Sequence, residues 1–229
     1  MNNDSARYVQ DVFDRVAPRY DLMNRLMTGG QDAGWRREVI RHARLAPGAR
    51  LLDLGAGTGD LGREALRQQP GVYVTLSDFS IGMMRQGMRR GSALSWSAAD
   101  ALSLPFPDAV FDALVSGFLL RNVADLPRAL GEMRRVLRPG GRMVALDTTR
   151  PARSLLTPFI WAYMHRIIPA LGWLLTGQRD AYTYLPDSSE RFLKAEDLAL
   201  QMEAAGLCEV GFRRLNFGTI AIHWGEKTP

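Results

Sequence analysis

Three observations predict an α/β fold built on a doubly wound, mostly parallel sheet. Short apolar runs alternate with stretches of three- and four-residue apolar spacing, and a glycine-rich turn (Gly55-Ala56-Gly57-Thr58-Gly59) follows the first run. Acids then close the next runs, at Asp78 and Asp100. Strand, turn and helix in that repeated order are the mark of βαβ units. With 229 residues, 46% of them hydrophobic, the chain is long enough for one domain to bury about 70% or more of its unfolded surface.

In chain order, apolar residues recur at helical spacing from Tyr8 to Met27 and from Trp35 to Leu45, which predicts a helical arm over residues 1–46. The core follows over 47–150. The run Leu51 to Leu54 reads as a strand entering the glycine turn, with a helix after it to about Gln69. VYVTLSD is a strand ending at Asp78, and Ser80 to Arg90 a helix. LSWSAAD ends at Asp100, and VFDALVSG is the fourth strand. A helix from Asp125 to Leu137 is stopped by Pro139-Gly140-Gly141, after which RMVALD is the fifth strand. Residues 151–192 break this rhythm and read as a lid or acceptor insertion. They are rich in large apolar residues but divided by Pro158, His165-Arg166, Pro169 and Gly172, so neither half reaches the ~18 to 20 uninterrupted residues needed to cross a bilayer. Over 193–229, a helix to Ala205 and strand-like stretches at Val210–Phe212 and Phe217–Trp224 complete a single domain.

The single Cys208 has no intrachain partner, which removes a four-cysteine zinc site and fits a reducing compartment. The first 30 residues mix charges without an apolar run, unlike a secretory signal, so the expected location is cytoplasmic. Net charge is +5, carried by 27 arginines and only Lys194 and Lys227 as lysines. A basic balance favours acidic partners, but the arginines are scattered, and no nucleic-acid-binding module is legible.

The glycine turn carries the clearest chemistry. Glycines between strand and helix permit positive φ and bring backbone N–H groups to a ligand at a helix N-terminus. Gly57-Thr58-Gly59-Asp60-Leu61-Gly62 also satisfies the dinucleotide pattern GxGxxG, which leaves a nicotinamide cofactor as an alternative. Asp78 stands where an acid accepts from both hydroxyls of a ribose. Asp53 inside the first strand and Asp100 after the third lean toward S-adenosylmethionine, with Asp53 holding the turn and the methionine ammonium and Asp100 accepting from the adenine amino group. Each aspartate alone is more often a cap or turn former.

With these residues in view, the sequence resembles the class I S-adenosylmethionine-dependent methyltransferases, and more narrowly the C-methyltransferases of ubiquinone and menaquinone biosynthesis. The resemblance runs from Val12 to about Gly225. It rests on VAPRYDLMNRLMTGGQDAGW, LDLGAGTGD, LSDFSIGMM, ADALSLPFPDAVFDALVSGFLLRNVADLPRAL, RRVLRPGGRMVALD, DAYTYLPDS and IAIHWG. YDLMNRL and LLRNV are particular to this subgroup, whereas the glycine turn and RVLRPGG are widespread. The resemblance implies a seven-stranded sheet with a final antiparallel strand. It places Gly55, Gly57 and Thr58 in the glycine turn, Asp78 and the adjoining Phe79 at the ribose, Asp100 and Ala101 beside the adenine, and Gly117 near the methyl-donor end. Departures from the family pattern fall at Thr28-Gly29-Gly30-Gln31-Asp32, at Asp147-Thr148-Thr149 and at Ser189, which bear on the acceptor rather than on the donor.

The implied reaction is C-methylation of a prenylated quinol, with another lipid or small aromatic as the alternative. Methyl transfer to carbon needs an electron-rich ring within ~3 to 3.5 Å of the sulfonium methyl, so the protein must help remove a phenolic proton and stabilise the charge. Arg121, just past the fourth strand, is the first catalytic candidate, as a stabilising cation and not a base. Tyr184 and Asp147 follow, then Asp32 and His223. An apolar strand is more often the place of a satisfied core histidine, so His223 ranks low. His42, His165 and His223 share no metal-ligand spacing. A bilayer-dissolved acceptor implies peripheral membrane contact, for which Phe159, Trp161, Ile167, Ile168 and Trp173, beside Arg166 and Arg179, offer an interfacial segment.

Overall fold

The computed structural model describes residues 14–15, 17–91, 94–151, 158, 162–167, 188 and 192–228. Seven strands form one sheet in the order β3-β2-β1-β4-β5-β7-β6. They are β1 Arg50–Leu54, β2 Tyr73–Asp78, β3 Ser95–Ala98, β4 Phe111–Gly117, β5 Leu137–Thr148, β6 Leu207–Leu215 and β7 Ile220–Lys227. β1 to β5 pair in parallel, and β7 runs antiparallel to both β5 and β6. The doubly wound sheet is therefore as the sequence predicts, and its antiparallel final strand as the resemblance implies.

Six helices flank it among the described residues: α1 Tyr20–Met27, α2 Asp32–Ala43, α3 Asp60–Gln68, α4 Ile81–Arg89, α5 Leu126–Val136 and α6 Ala195–Ala204. Two apolar layers hold them on. Successive side chains of a strand point to opposite faces, so in β1 Leu51 joins one layer and Leu52 the other, both fully buried. The Leu51 layer packs Val39 and Ile40 of α2 and Leu61 and Ala65 of α3. The Leu52 layer packs Leu130 and Met133 of α5 and Leu198 and Met202 of α6. Both faces being covered is why these strands read as continuous apolar runs.

Three boundaries differ from those expected. The stretch of helical spacing from Tyr8 to Met27 lies partly outside the described residues, with a 3-10 turn at Ala17–Arg19 just ahead of α1, while α2 starts at Asp32 rather than Trp35. Pro139-Gly140-Gly141 does not precede β5 but lies within it. Phe111 pairs with Leu137, the ladder then skips, and it resumes at Ala113 with Arg142, so the proline and the left-handed Gly140 (φ 74°) form an irregularity inside the strand. β7 starts at Ile220 and not at Phe217, because Phe217 (φ 55°) and Gly218 (φ 82°) make the hairpin turn from β6. Most of the predicted 151–192 insertion lies outside the described residues. No helix among those described is long and apolar enough to cross a membrane.

Candidate active site

The strand order reverses at β1, which has β2 on one side and β4 on the other. In an open α/β sheet the carboxyl ends of strands at such a point form a crevice. A cavity of about 900 Å³, counting the part open to solvent, lies there. Gly55 and Gly57 line it after β1, Asp78, Phe79 and Ser80 after β2, Ala99 to Leu102 after β3, and Gly117 to Leu119 after β4. Asn122 to Ala124, Met83 of α4 and Tyr20 of α1 complete the wall.

The glycine turn is held by backbone bonds and by one carboxylate. Gly55 and Ala56 N–H donate to the Ser77 carbonyl at 2.8 and 3.0 Å, tying the turn to β2. Gly57, with φ 57°, donates its N–H to Asp78 Oδ2 at 2.6 Å. A Cβ at Gly62 would collide with the Leu76 side chain, so glycine there lets α3 lie close on the sheet. Gly62 N–H donates to Asp53 Oδ2 at 2.9 Å, while Asp53 Oδ1 is buried without a partner. Burial pushes the Asp53 carboxyl up to about 7, only partly opposed by the Gly62 bond and the charge of Arg36, because no cation among the described residues pairs with it.

Asp78 also accepts from Ser80 N–H, at 2.7 Å, and burial raises its pKa despite these bonds. A carboxylate has about four lone-pair sites, so capacity remains on the cavity side for ligand hydroxyls. Ser80 caps α4 by accepting from Met83 N–H at 3.1 Å. Asp100, exposed in the turn after β3, accepts from Leu102 N–H at 2.9 Å and lines the cavity with Ala101.

Several predicted site residues stand elsewhere. Thr58 is in the turn but does not line the cavity. Its hydroxyl donates to Asp21 Oδ1 at 2.7 Å, and Asp21 is bridged by Arg90, whose Nη1 also reaches Asp60 at 2.7 Å. The side chain is thereby turned toward the arm. Asp53 is likewise behind the turn, where it acts on the ligand side only through backbone. Arg121 and Asp147 meet each other, with Nη1 2.7 Å from Oδ1 and side chains 5% and 1% exposed. Asp147 Oδ2 also accepts from Arg121 N–H at 3.2 Å, and Oδ1 accepts from Thr148 N–H at 2.8 Å. The pair does not line the cavity; the guanidinium carbon sits 5.1 Å from the centre of the Phe118 ring, which does. Asp32 is buried, paired with Arg36 and accepting from Thr28. His223 is a core histidine, its Nε2 2.9 Å from the Ala195 carbonyl oxygen, and burial lowers its pKa, which keeps the ring neutral. Tyr184, Ser189 and most of the predicted interfacial segment lie outside the described residues.

Tyr20 is one of the cavity residues that sequence reasoning missed. Burial pushes its phenol up, against a hydrogen bond with Asn24 and the charge of Arg121. Its place in the subgroup-specific YDLMNRL segment was the available signal. Asn122, whose Nδ2 donates to the Phe118 carbonyl at 3.0 Å, was missed although it stands beside Arg121 in LLRN.

The donor group fits these residues: a carboxylate with free acceptor capacity faces the cavity between the glycine turn and an apolar slot at Ala99–Leu102. Fold and site together define a class I S-adenosylmethionine-dependent methyltransferase. The chain belongs to the ubiE/COQ5 methyltransferase family, whose model matches residues 1–227. It is 44% identical over 221 residues to a ubiquinone/menaquinone biosynthesis C-methyltransferase of Desulfotalea psychrophila, covering 96% of this chain and 90% of that one. With a demethylmenaquinone methyltransferase of Thermus thermophilus it shares 43% identity over 220 residues, 94% and 100% of the two chains. Among solved structures, an S-adenosylmethionine-dependent methyltransferase of Thermotoga maritima matches with a TM-score of 0.67 at 20% identity, covering 95% and 99% of the two chains. The cyclase SpnF matches with a TM-score of 0.73 at 20% identity, covering 97% of each. At that identity the likeness is one of fold, and family membership is what sets the nicotinamide alternative aside.

Proposed function

We propose that the protein methylates a ring carbon of a prenylated quinol at a membrane surface. The observation that carries this reading is that a single cavity joins the donor-binding carboxylates, Asp78 and Asp100, to an apolar and aromatic wall of Tyr20, Phe118, Leu119 and Val123. Such a wall suits a flat hydrophobic ring, and the relatives' names supply the class of acceptor. When bound, S-adenosylmethionine supplies a sulfonium methyl group open to in-line attack by carbon.

The chain's own residues then have distinct tasks. Gly55, Gly57 and Gly117 let backbone approach the donor, with Asp53 behind the turn and Thr58 clasped to Asp21. Asp78, beside Phe79, accepts from ribose hydroxyls, and Asp100 and Ala101 flank the base. Tyr20, with its raised pKa, remains a phenol near neutral pH and donates a hydrogen bond to a quinol oxygen. The Arg121–Asp147 pair is a positioning device: it pins the Leu120–Asn122 turn from behind, and so sets Phe118, Leu119 and Asn122 in the wall. Water takes the phenolic proton, and Tyr184 is a candidate for orienting the acceptor.

The test is incubation of the protein with S-adenosylmethionine and a demethylated quinol, followed by mass spectrometry and fragmentation. A product heavier by one methyl, placed on a ring carbon, is expected. Methyl found on oxygen, or no product with a quinol of any tail length, defeats the reading.

A further inference from the structure

The two faces of α1 differ in kind. On the inner face Tyr20 lines the cavity and Met23 is buried. On the outer face Leu22 is 53% and Leu26 43% exposed. Four residues apart, they share one stripe of the helix. Arg19 and Arg25, both exposed, lie three residues to either side of Leu22 and flank that stripe. Asp21, four residues before Arg25, is the only acid in the helix and is paired with Arg90, so the exposed charge beside the stripe is positive on balance. A second segment joins at the end of the helix. Tyr163 Oη donates to the Met27 carbonyl at 2.7 Å, and in the Tyr163–Ile167 turn Arg166 and Ile167 are both exposed.

Exposed leucines edged by arginines suit a boundary at which apolar side chains enter hydrocarbon while guanidinium groups stay among anionic headgroups. We infer that the outer face of α1, with the Tyr163–Ile167 turn beside it, docks the protein onto an anionic lipid bilayer. The inference rests on the proposed bilayer-dissolved acceptor. A helix with lipid on one side and the cavity on the other brings that cavity within about one helix diameter, roughly 10 Å, of the headgroups. Charge selects a bilayer over a second copy of this chain, because a two-fold contact through the same face sets arginine against arginine.

Vesicle flotation tests it, with vesicles of phosphatidylcholine alone and of phosphatidylcholine and phosphatidylglycerol in equal parts. The wild type floats with the mixed vesicles and stays behind with the neutral ones. Arg19→Ser with Arg25→Ser loses about fivefold in binding per arginine removed. Leu22→Ser with Leu26→Ser loses tenfold or more, and neither pair changes the melting temperature. Both pairs methylate a short-chain, water-soluble quinol at the wild-type rate but slow on a long-tailed quinol carried in the mixed vesicles. Wild-type protein that ignores anionic vesicles, or double variants that bind them as the wild type does, overturns the inference. So does a concentration-dependent dimer abolished by the same substitutions, which assigns the face to a second copy. Protein that floats through this face yet methylates neither quinol upholds the docking and overturns the acceptor.

Discussion

Asp78 and Asp147 close β2 and β5, on either side of the central pair β1 and β4, and yet they have become different things. Asp147 is 1% exposed and meets the Arg121 guanidinium and two backbone N–H groups. Asp78 is only half-buried, meets backbone N–H groups and, among the described residues, no cation, and burial raises its pKa. A carboxylate at the carboxyl end of a strand keeps acceptor capacity for a ligand where the cavity faces it and becomes a structural group where an arginine reaches it first. The residue type and its place in the topology are shared, so the neighbours decide.

The largest effect should come from breaking the satisfied member. Asp147→Ala leaves Arg121 buried and uncompensated, which costs about 3 to 5 kcal/mol and lowers the melting temperature by on the order of 10 °C. Arg121→Met alone should do comparable damage, whereas Arg121→Met with Asp147→Leu restores stability. Single variants melting like the wild type would erase the distinction. In the refolded double variant, methyl transfer that remains slow at saturating substrates assigns the pair its positioning role, while a wild-type rate withdraws it.

Asp53 extends the comparison to a carboxylate with neither cation nor cavity. Its folded pKa of about 7 lies above the ordinary 3.8, so the native state holds the proton longer than the unfolded one. Its contribution to stability is therefore fully present below about pH 4 and is lost as pH rises through 7, by on the order of 4 kcal/mol at most. Asp53→Asn keeps an acceptor for Gly62 N–H and removes the titration. The variant's melting temperature relative to the wild type should climb from pH 5 to pH 8; a constant difference means that Asp53 does not titrate in that window.

For the receptive member, Asp78→Ala should weaken S-adenosylmethionine binding by about 2 to 4 kcal/mol, seen by calorimetry, with the melting temperature little changed. A large loss of stability with unchanged affinity would make Asp78 a second Asp147. The smallest effect belongs to the partly exposed clasp of Arg90 with Asp21, whose side chains are 37% and 40% exposed. Arg90→Ala should cost less than about 1 kcal/mol, and the cost should shrink in high salt; a loss unaffected by salt would show that the clasp is not electrostatic.

What the sequence by itself determined was the order of elements and which residues stand at the carboxyl edge of the sheet around the cavity. Both are local: short continuous apolar runs and 3.6-residue periods announce strands and helices, a left-handed turn favours glycines at 55, 57 and 59, and a strand's last residue, Asp78, or the turn acid Asp100 after β3, must sit at the sheet's carboxyl edge. Tertiary structure alone decided where side chains of known position point. Thr58 belongs to the glycine turn by sequence but faces Asp21, 37 residues earlier. Arg121 lies just past β4 as expected, but Asp147, 26 residues on, takes its charge out of the cavity. Tyr20 reaches the cavity from an arm whose helical period shows only that one face is buried, not against what. A side chain's direction follows from which distant groups can satisfy its charge and hydrogen bonds, and no spacing along the chain encodes that pairing.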